Sequence, residues 1–140
     1  LAAEGSVVQD RCVYEDAEIF ARNLYLQGTI SQRDFNVYQD LYQILVSLLP
    51  PPNLIVYLRA SVETLQERIA HRGRDFEADI PREYLSRLND LYEAWISSFM
   101  QCPILIVPSD HLNLVSSDEN ISQVVHAIQE KLSGRTEMQL

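Results

Sequence analysis

Two short runs of unbroken apolar residues constrain this chain most. They are Leu54-Ile55-Val56-Tyr57-Leu58 and Ile104-Leu105-Ile106-Val107. Neither alternates with polar residues, and this predicts strands buried on both faces, as in a parallel sheet. Ser6-Val7-Val8-Gln9 reads as the end of a further strand. Between and around these runs the period changes to that of a helix. Residues 14–27 carry Ile19, Phe20 and Leu24 on one face and end at Gly28. Residues 32–49 repeat Phe35, Tyr38, Leu41, Tyr42, Leu45, Leu48 and Leu49 at i, i+3, i+4 spacing. Ser31 caps that helix and Pro50-Pro51-Pro52 stops it. Ser61 caps a helix containing Thr64, Leu65, Arg68 and Ile69, and Pro81 opens a long one to about Met100. The stripe of the long helix is Tyr84, Leu85, Leu88, Leu91, Tyr92, Trp95, Ile96 and Phe99, which reads as core. A last helix spans 119–132, and the tail at 135–140 reads as loose. Strands separated by helices predict an α/β fold: a three-layer parallel sheet with helices on both faces. One domain over 1–134 is the expectation for this length.

In such sheets ligands bind at the carboxyl ends of the strands. The residues placed there are Asp10-Arg11-Cys12, Arg59-Ala60-Ser61 and Pro108-Ser109-Asp110. Asp10 can hold a hard cation through oxygen, and Arg11 can hold a phosphate or orient a carboxylate. A surface ion pair at a strand end explains the same two residues. Asp16, beside Glu15 and Glu18, suits the positive end of a helix dipole.

Arginine usage is lopsided: ten Arg stand against one Lys, Lys131, and three of the ten fall in Arg68-Ile69-Ala70-His71-Arg72-Gly73-Arg74. Arg68 and Arg72, at i and i+4, repel each other unless an anion lies between them. A polyphosphate is one such anion, and Arg-x-x-x-Arg-x-Arg over a helix end suits a lid that closes on a nucleotide. Neutralisation by Glu67, Asp75, Glu77 and Asp79 is the other explanation. His71 reads as a solvated neighbour, and Cys102 as a small buried apolar residue. The net charge of −9 argues against nucleic acid and anionic membranes as main ligands. No apolar run approaches the ~20 residues of a membrane span. The first residues do not read as a signal peptide. Cys12 and Cys102 form neither a disulfide framework nor zinc spacing, so a reducing, cytoplasmic setting is expected.

Gln9-Asp10-Arg11-Cys12-Val13-Tyr14-Glu15-Asp16, followed by Ile19-Phe20-Ala21-Arg22-Asn23-Leu24-Tyr25, closely resembles the deoxynucleoside kinase family. Its members carry acid-Arg-Ser/Thr, Tyr-x-Asp and Ile-Phe-Ala-x-Asn-Leu-Tyr. Leu58-Arg59-Ala60-Ser61-Val62-Glu63-Thr64 and the lid-like run from Arg68 to Arg74 extend the resemblance. Ile80-Pro81-Arg82-Glu83-Tyr84-Leu85-Ser86-Arg87-Leu88-Asn89 and Tyr92-Glu93-Ala94-Trp95 continue it over nearly all of 6–132. Bacterial deoxyguanosine and deoxyadenosine kinases are the nearest likeness.

The resemblance implies an activity: transfer of the ATP γ-phosphate to the 5′-hydroxyl of a deoxynucleoside, a purine favoured, in nucleotide salvage. It implies that Asp10 sits at Mg²⁺ and that Arg11 holds the 5′-hydroxyl region and the catalytic carboxylate. Asp16 would read the base edge and Glu77 would bond the sugar 3′-hydroxyl. Arg68, Arg72 and Arg74 would form a lid, within about 68–80, that grips phosphates and stacks on adenine. A homodimer through helices 14–27 and 32–49 is implied as well.

Three departures stand out. Cys12 replaces a Ser or Thr, and a thiol is the weaker donor. Pro108 stands where an Asp is common, which leaves Asp110 as the residue near adenine. The family's opening strand, its Gly-rich phosphate loop ending in Lys-Ser/Thr, and the strand bearing its general base have no counterpart. In family order the opening strand lies between 6–9 and 54–58, so the resemblance implies a gap in the sheet. The chain then corresponds to roughly the carboxyl-terminal two-thirds of a kinase whose phosphate loop lies upstream, and these residues alone are expected to be inactive. A thymidylate-kinase-like enzyme and a non-catalytic dimerisation or regulatory partner are the competing expectations.

Overall fold

The computed structural model describes residues 5–77 and 79–133. The tail at 135–140 lies outside the described residues. The chain divides into two compact units, Leu1–Leu49 and Pro50–Leu140.

The first unit is helical. Residues 6–9 form no strand: they are exposed, with Val8 98% accessible and no ladder partner among the described residues. A single extended segment has no hydrogen-bond partner of its own, so it becomes a strand only beside another one. After the bend at Asp10 and Arg11, α1 (Val13–Glu15) leads into a π-helical turn (Asp16–Ala21) and then α2 (Arg22–Leu26). The segment expected as a plain helix over 14–27 is therefore a helix with a π-turn inside it, a feature found often at functional sites. Its buried face is Tyr14, Ala17, Ile19, Ala21 and Asn23, whereas Leu24 is exposed. Gly28, at φ +72°, ends it, with Thr29 N–H reaching back to Leu24 O at 2.9 Å. Ser31 then caps α3 (Gln32–Leu48) by accepting from Asp34 N–H. Tyr25 and Phe35 stack at 4.5 Å between α2 and α3. Tyr42 is the buried anchor of α3; burial, with the Glu18 charge adding to it, pushes its phenol up to about 12.

The second unit is α/β. Strands β1 (Ile55–Arg59) and β2 (Ile104–Pro108) pair in parallel, Ile55 opposite Ile104 through Arg59 opposite Pro108. Their connection passes through α4 (Val62–Arg72), a 3₁₀ turn (Asp75–Glu77) and α5 (Arg82–Ser98). A parallel pair needs such a crossover. Helix α6 (Asp118–Leu132), capped by Ser117, packs on β2. Leu85, Trp95 and Ile96 of α5 join Ala60 and Val107 in the core. The edge-to-face contacts of Trp95 with Tyr92 and Phe99 confirm that this stripe is core.

The strands are not buried on both faces as expected, because Leu58 and Ile106 are exposed. Only two strands are present among the described residues, so each is an edge and the sheet is too narrow to shield its own surface. The apolar stripe of α6 is also partly open at Ile121 and Val125. Cys102 is half-buried rather than buried.

Candidate nucleotide site

The expected site residues divide between the two units. Asp10, Arg11 and Asp16 belong to the first, and Arg68, Arg72, Arg74, Glu77 and Asp110 to the second.

In the first unit Arg11 takes φ +63°, the left-handed region that side chains rarely adopt. Its guanidinium lies 4.8 Å over the Phe20 ring, a cation–π contact that offsets part of the backbone cost. The bend turns the chain into α1, whose capping residue Cys12 donates its N–H to Glu15 Oε2 at 3.0 Å. Burial pushes the Cys12 thiol up, which keeps it neutral. Asp10 is exposed. Asp16 is exposed on the π-turn, and its charge adds to burial in raising Tyr38. Among the described residues no three His, Cys, Asp or Glu side chains gather as a metal cage. One open carboxylate still suits Mg²⁺, which keeps several waters and takes other ligands from substrate phosphates.

In the second unit α4 ends at Gly73, φ +64°, whose N–H bonds Ile69 O at 3.2 Å. That left-handed residue turns the chain so that Arg72 and Arg74 converge on one carboxylate. Glu77, largely buried, accepts from Arg72 Nη2 and lies 3.5 Å from Arg74 Nη1. Of the acids expected to neutralise the arginine cluster, Glu77 thus pairs with Arg72 and Arg74. An open depression of about 170 Å³ lies beside Arg74, lined by Ile69, Ala70, Gly73, Arg74 and Asp75. His71 is exposed, as expected.

Arg68 does not join Arg72 and Arg74 on Glu77. Its guanidinium faces the turn after β2, donating to Ser109 Oγ (3.2 Å), Ser109 O and Leu112 O (3.3 Å). Asp110, in the same turn, accepts from Ser61 N–H at 2.7 Å. That bond, with a further one from Thr64, holds the Asp110 carboxyl below its usual range.

Sequence reasoning placed residues 59–61 and 108–110 at the carboxyl ends but assigned no role to Ser109. It is fully buried, and its N–H (2.8 Å) and hydroxyl (2.9 Å) both donate to Arg59 O. Arg59 itself makes a two-pronged pair with Glu93 at 2.7 and 2.8 Å, and Tyr57 donates to the same carboxylate at 3.1 Å. Burial and the Glu93 charge push the Tyr57 phenol up. Position right after a strand was the available signal for Ser109; nothing in the sequence paired Arg59 with Glu93.

The sequence pattern of deoxynucleoside kinases matches residues 1–133. The chain is 35% identical over 128 residues to a deoxyadenosine/deoxycytidine kinase of Bacillus subtilis, covering 90% of this chain and 59% of that protein. It is 35% identical over 127 residues to a deoxyadenosine kinase of Dictyostelium discoideum, covering 89% of this chain and 50% of the relative. Deoxyguanosine and thymidine kinases are also among the relatives. The structure of a deoxyadenosine kinase from M. mycoides with bound dATP superposes with a TM-score of 0.73 at 29% identity, covering 90% of this chain and 63% of that one. The chain therefore spans about half to two-thirds of the length of these proteins, and by its residue pattern and its fold it belongs to the deoxynucleoside kinase family.

Proposed function

We propose that this chain is part of an ATP-dependent deoxynucleoside kinase of nucleotide salvage, with its lid at Arg72 and Arg74. The observation that carries this reading is the convergence of both arginines on Glu77. A phosphate can replace that carboxylate without leaving either guanidinium unpaired, exchanging one anion for another. The adjoining depression is smaller than the pockets of about 300–1,000 Å³ usual for a small-molecule ligand. Once released from the arginines, Glu77 can accept from the sugar 3′-hydroxyl.

In the reaction the 5′-oxygen bonds to the γ-phosphorus, the bond to the β-bridging oxygen breaks, and ADP leaves. The 5′-hydroxyl proton passes to a carboxylate base, which this reading places upstream of Leu1. Arg11, held by its backbone turn and Phe20, orients the 5′-hydroxyl region. Arg72 and Arg74 stabilise the charge on the transferring phosphoryl group. Asp16 accepts from the donor groups of a base edge. Asp10 would hold Mg²⁺, which when bound neutralises phosphate charge. The relatives act on several bases, so the purine preference rests on Asp16 and on the likeness to the adenosine and guanosine enzymes.

Residues 1–134 belong, in this reading, to a single cytoplasmic kinase domain with no nucleic-acid or membrane partner. No described helix is long and apolar enough to cross a membrane. A homodimer forms through the segments at 14–27 and 32–49. Val37, Leu41, Ile44, Leu45 and Leu48 support this, because they leave an apolar stripe of α3 exposed.

The test is transfer from Mg-ATP to deoxyguanosine, deoxyadenosine, deoxycytidine and thymidine. The 140-residue chain is run beside one extended upstream by a phosphate-loop unit, ~30 residues or more. Activity in the extended chain alone is the expected result. Failure of both to transfer phosphate or bind a nucleoside overturns the kinase reading.

A further inference from the structure

We propose that Arg68 is a positioning residue that fixes the turn at 109–112, and acts on phosphate-donor binding through that turn instead of gripping phosphate. The inference rests on the kinase reading for its effect on donor binding. The latch itself stands on geometry alone.

One guanidinium takes three acceptors: Ser109 Oγ, Ser109 O and Leu112 O. The first and last residues of the turn are thereby clamped by one planar group. The clamp continues inward, since the Ser109 hydroxyl that accepts from Arg68 donates to Arg59 O at 2.9 Å. Ser109 is fully buried, so its polar atoms have no access to water as a substitute. The turn is closed by Leu112 N–H on Ser109 O at 3.2 Å. On its other side Asp110 accepts from Ser61 N–H at 2.7 Å. Arg68 thus ties helix α4 to the exits of both β1 and β2, at the edge where parallel sheets bind their ligands.

The acceptors also distinguish Arg68 from its neighbours. Arg72 and Arg74 face a carboxylate, which a phosphate can replace. Arg68 faces carbonyls and a hydroxyl that belong to the turn. A phosphate that captured Arg68 would strip buried Ser109 of a partner and leave two carbonyls without their clamp. Lysine cannot substitute, because a point charge on a flexible stem does not span three acceptors in one plane.

The test compares Arg68→Lys, Arg68→Met and Arg72→Met in the upstream-extended kinase. Both Arg68 variants are expected to raise KM for Mg-ATP about tenfold or more, and by a larger factor than they lower kcat. Lysine is expected to rescue neither. Arg72→Met is expected to lower kcat by the larger factor. Amide hydrogen exchange of the 140-residue chain supplies a readout independent of activity. Exchange at Ser109 and Leu112 is expected to accelerate in both Arg68 variants and to stay unchanged in Arg72→Met.

Unchanged exchange at 109–112, rescue by lysine, or a kcat loss matching that of Arg72→Met overturns the proposal. If the unsubstituted extended chain transfers no phosphate, the kinase reading fails and the exchange result still decides the latch. Should the Arg68 variants not fold, Ser109→Ala removes one acceptor of the clamp. It is expected to accelerate exchange at Leu112, and no acceleration overturns the latch.

Discussion

Arg11 shows how backbone and side chain can oppose each other at one residue. Its φ of +63° costs about 1–2 kcal/mol, and the contact with Phe20 returns about 0.5–1 kcal/mol. Arg11→Gly removes the cost and the contact together, so its unfolding free energy is expected to stay within about 1 kcal/mol of the parent in urea titration. Phosphoryl transfer by the extended kinase is expected to vanish in Arg11→Gly and Arg11→Ala alike. Near-normal turnover in either would remove Arg11 from the mechanism. Asp110 makes a different prediction, about pH. The Ser61 N–H, then Thr64, lower its folded value below the ordinary 3.8. A lowered carboxyl stabilises the fold above its unfolded value and loses that contribution as pH falls through the folded one. The contact between the turn and Ser61 should thus persist at pH 5 and release only below pH 3.8. The Ser61 amide proton shift, followed by NMR across an acid titration, checks this.

At the scale of elements, helix ends place the chemistry. Ser61 starts α4 and Gly73 ends it. Ser61 was legible because an N-cap is a local signal carried by one residue, whereas Gly73 was not expected as the stop. Gly73 is the more consequential, since its turn brings Arg72 and Arg74 to the same carboxylate. A Cβ at Gly73 meets nothing within 4 Å, so Gly73→Ala isolates the backbone term. It is expected to cost about 1 kcal/mol in denaturant unfolding, with the extended kinase losing affinity for ATP. An unchanged unfolding midpoint would show that α4 can end without the left-handed residue. The π-turn at Asp16–Ala21 was not legible. Ile19, Phe20 and Leu24 fit an ordinary helical stripe, and one residue of extra winding leaves no mark in such a pattern. The structure buries Asn23 and exposes Leu24.

At the scale of the whole molecule, the exposed apolar surface is the main consequence. Leu41 and Ile44 of α3 are more than half exposed, at 53% and 58%. If a second copy covers this stripe, Leu41→Asp and Ile44→Asp should each halve the mass seen by sedimentation equilibrium. A parent chain that is monomeric at all concentrations tested would overturn the homodimer.

Sequence alone determined the α/β class and the positions of α3 to α6, β1 and β2, because apolar period, caps and proline act within a few residues of one another. It also determined the family, through ordered motifs from Asp10 to Trp95. Tertiary structure decided the partners. Arg68, Arg72 and Arg74 look equivalent along the chain, yet one clamps a turn and two share a carboxylate. Arg59 with Glu93, 34 residues apart, depends on α5 lying against β1, and Ser109 with Arg59, 50 apart, on β1 and β2 meeting in register. Residues 6–9 make the same point in reverse. Their composition suits a strand, but a strand is a relation between two segments, and hydrogen bonds to a neighbour cannot be encoded in one segment alone.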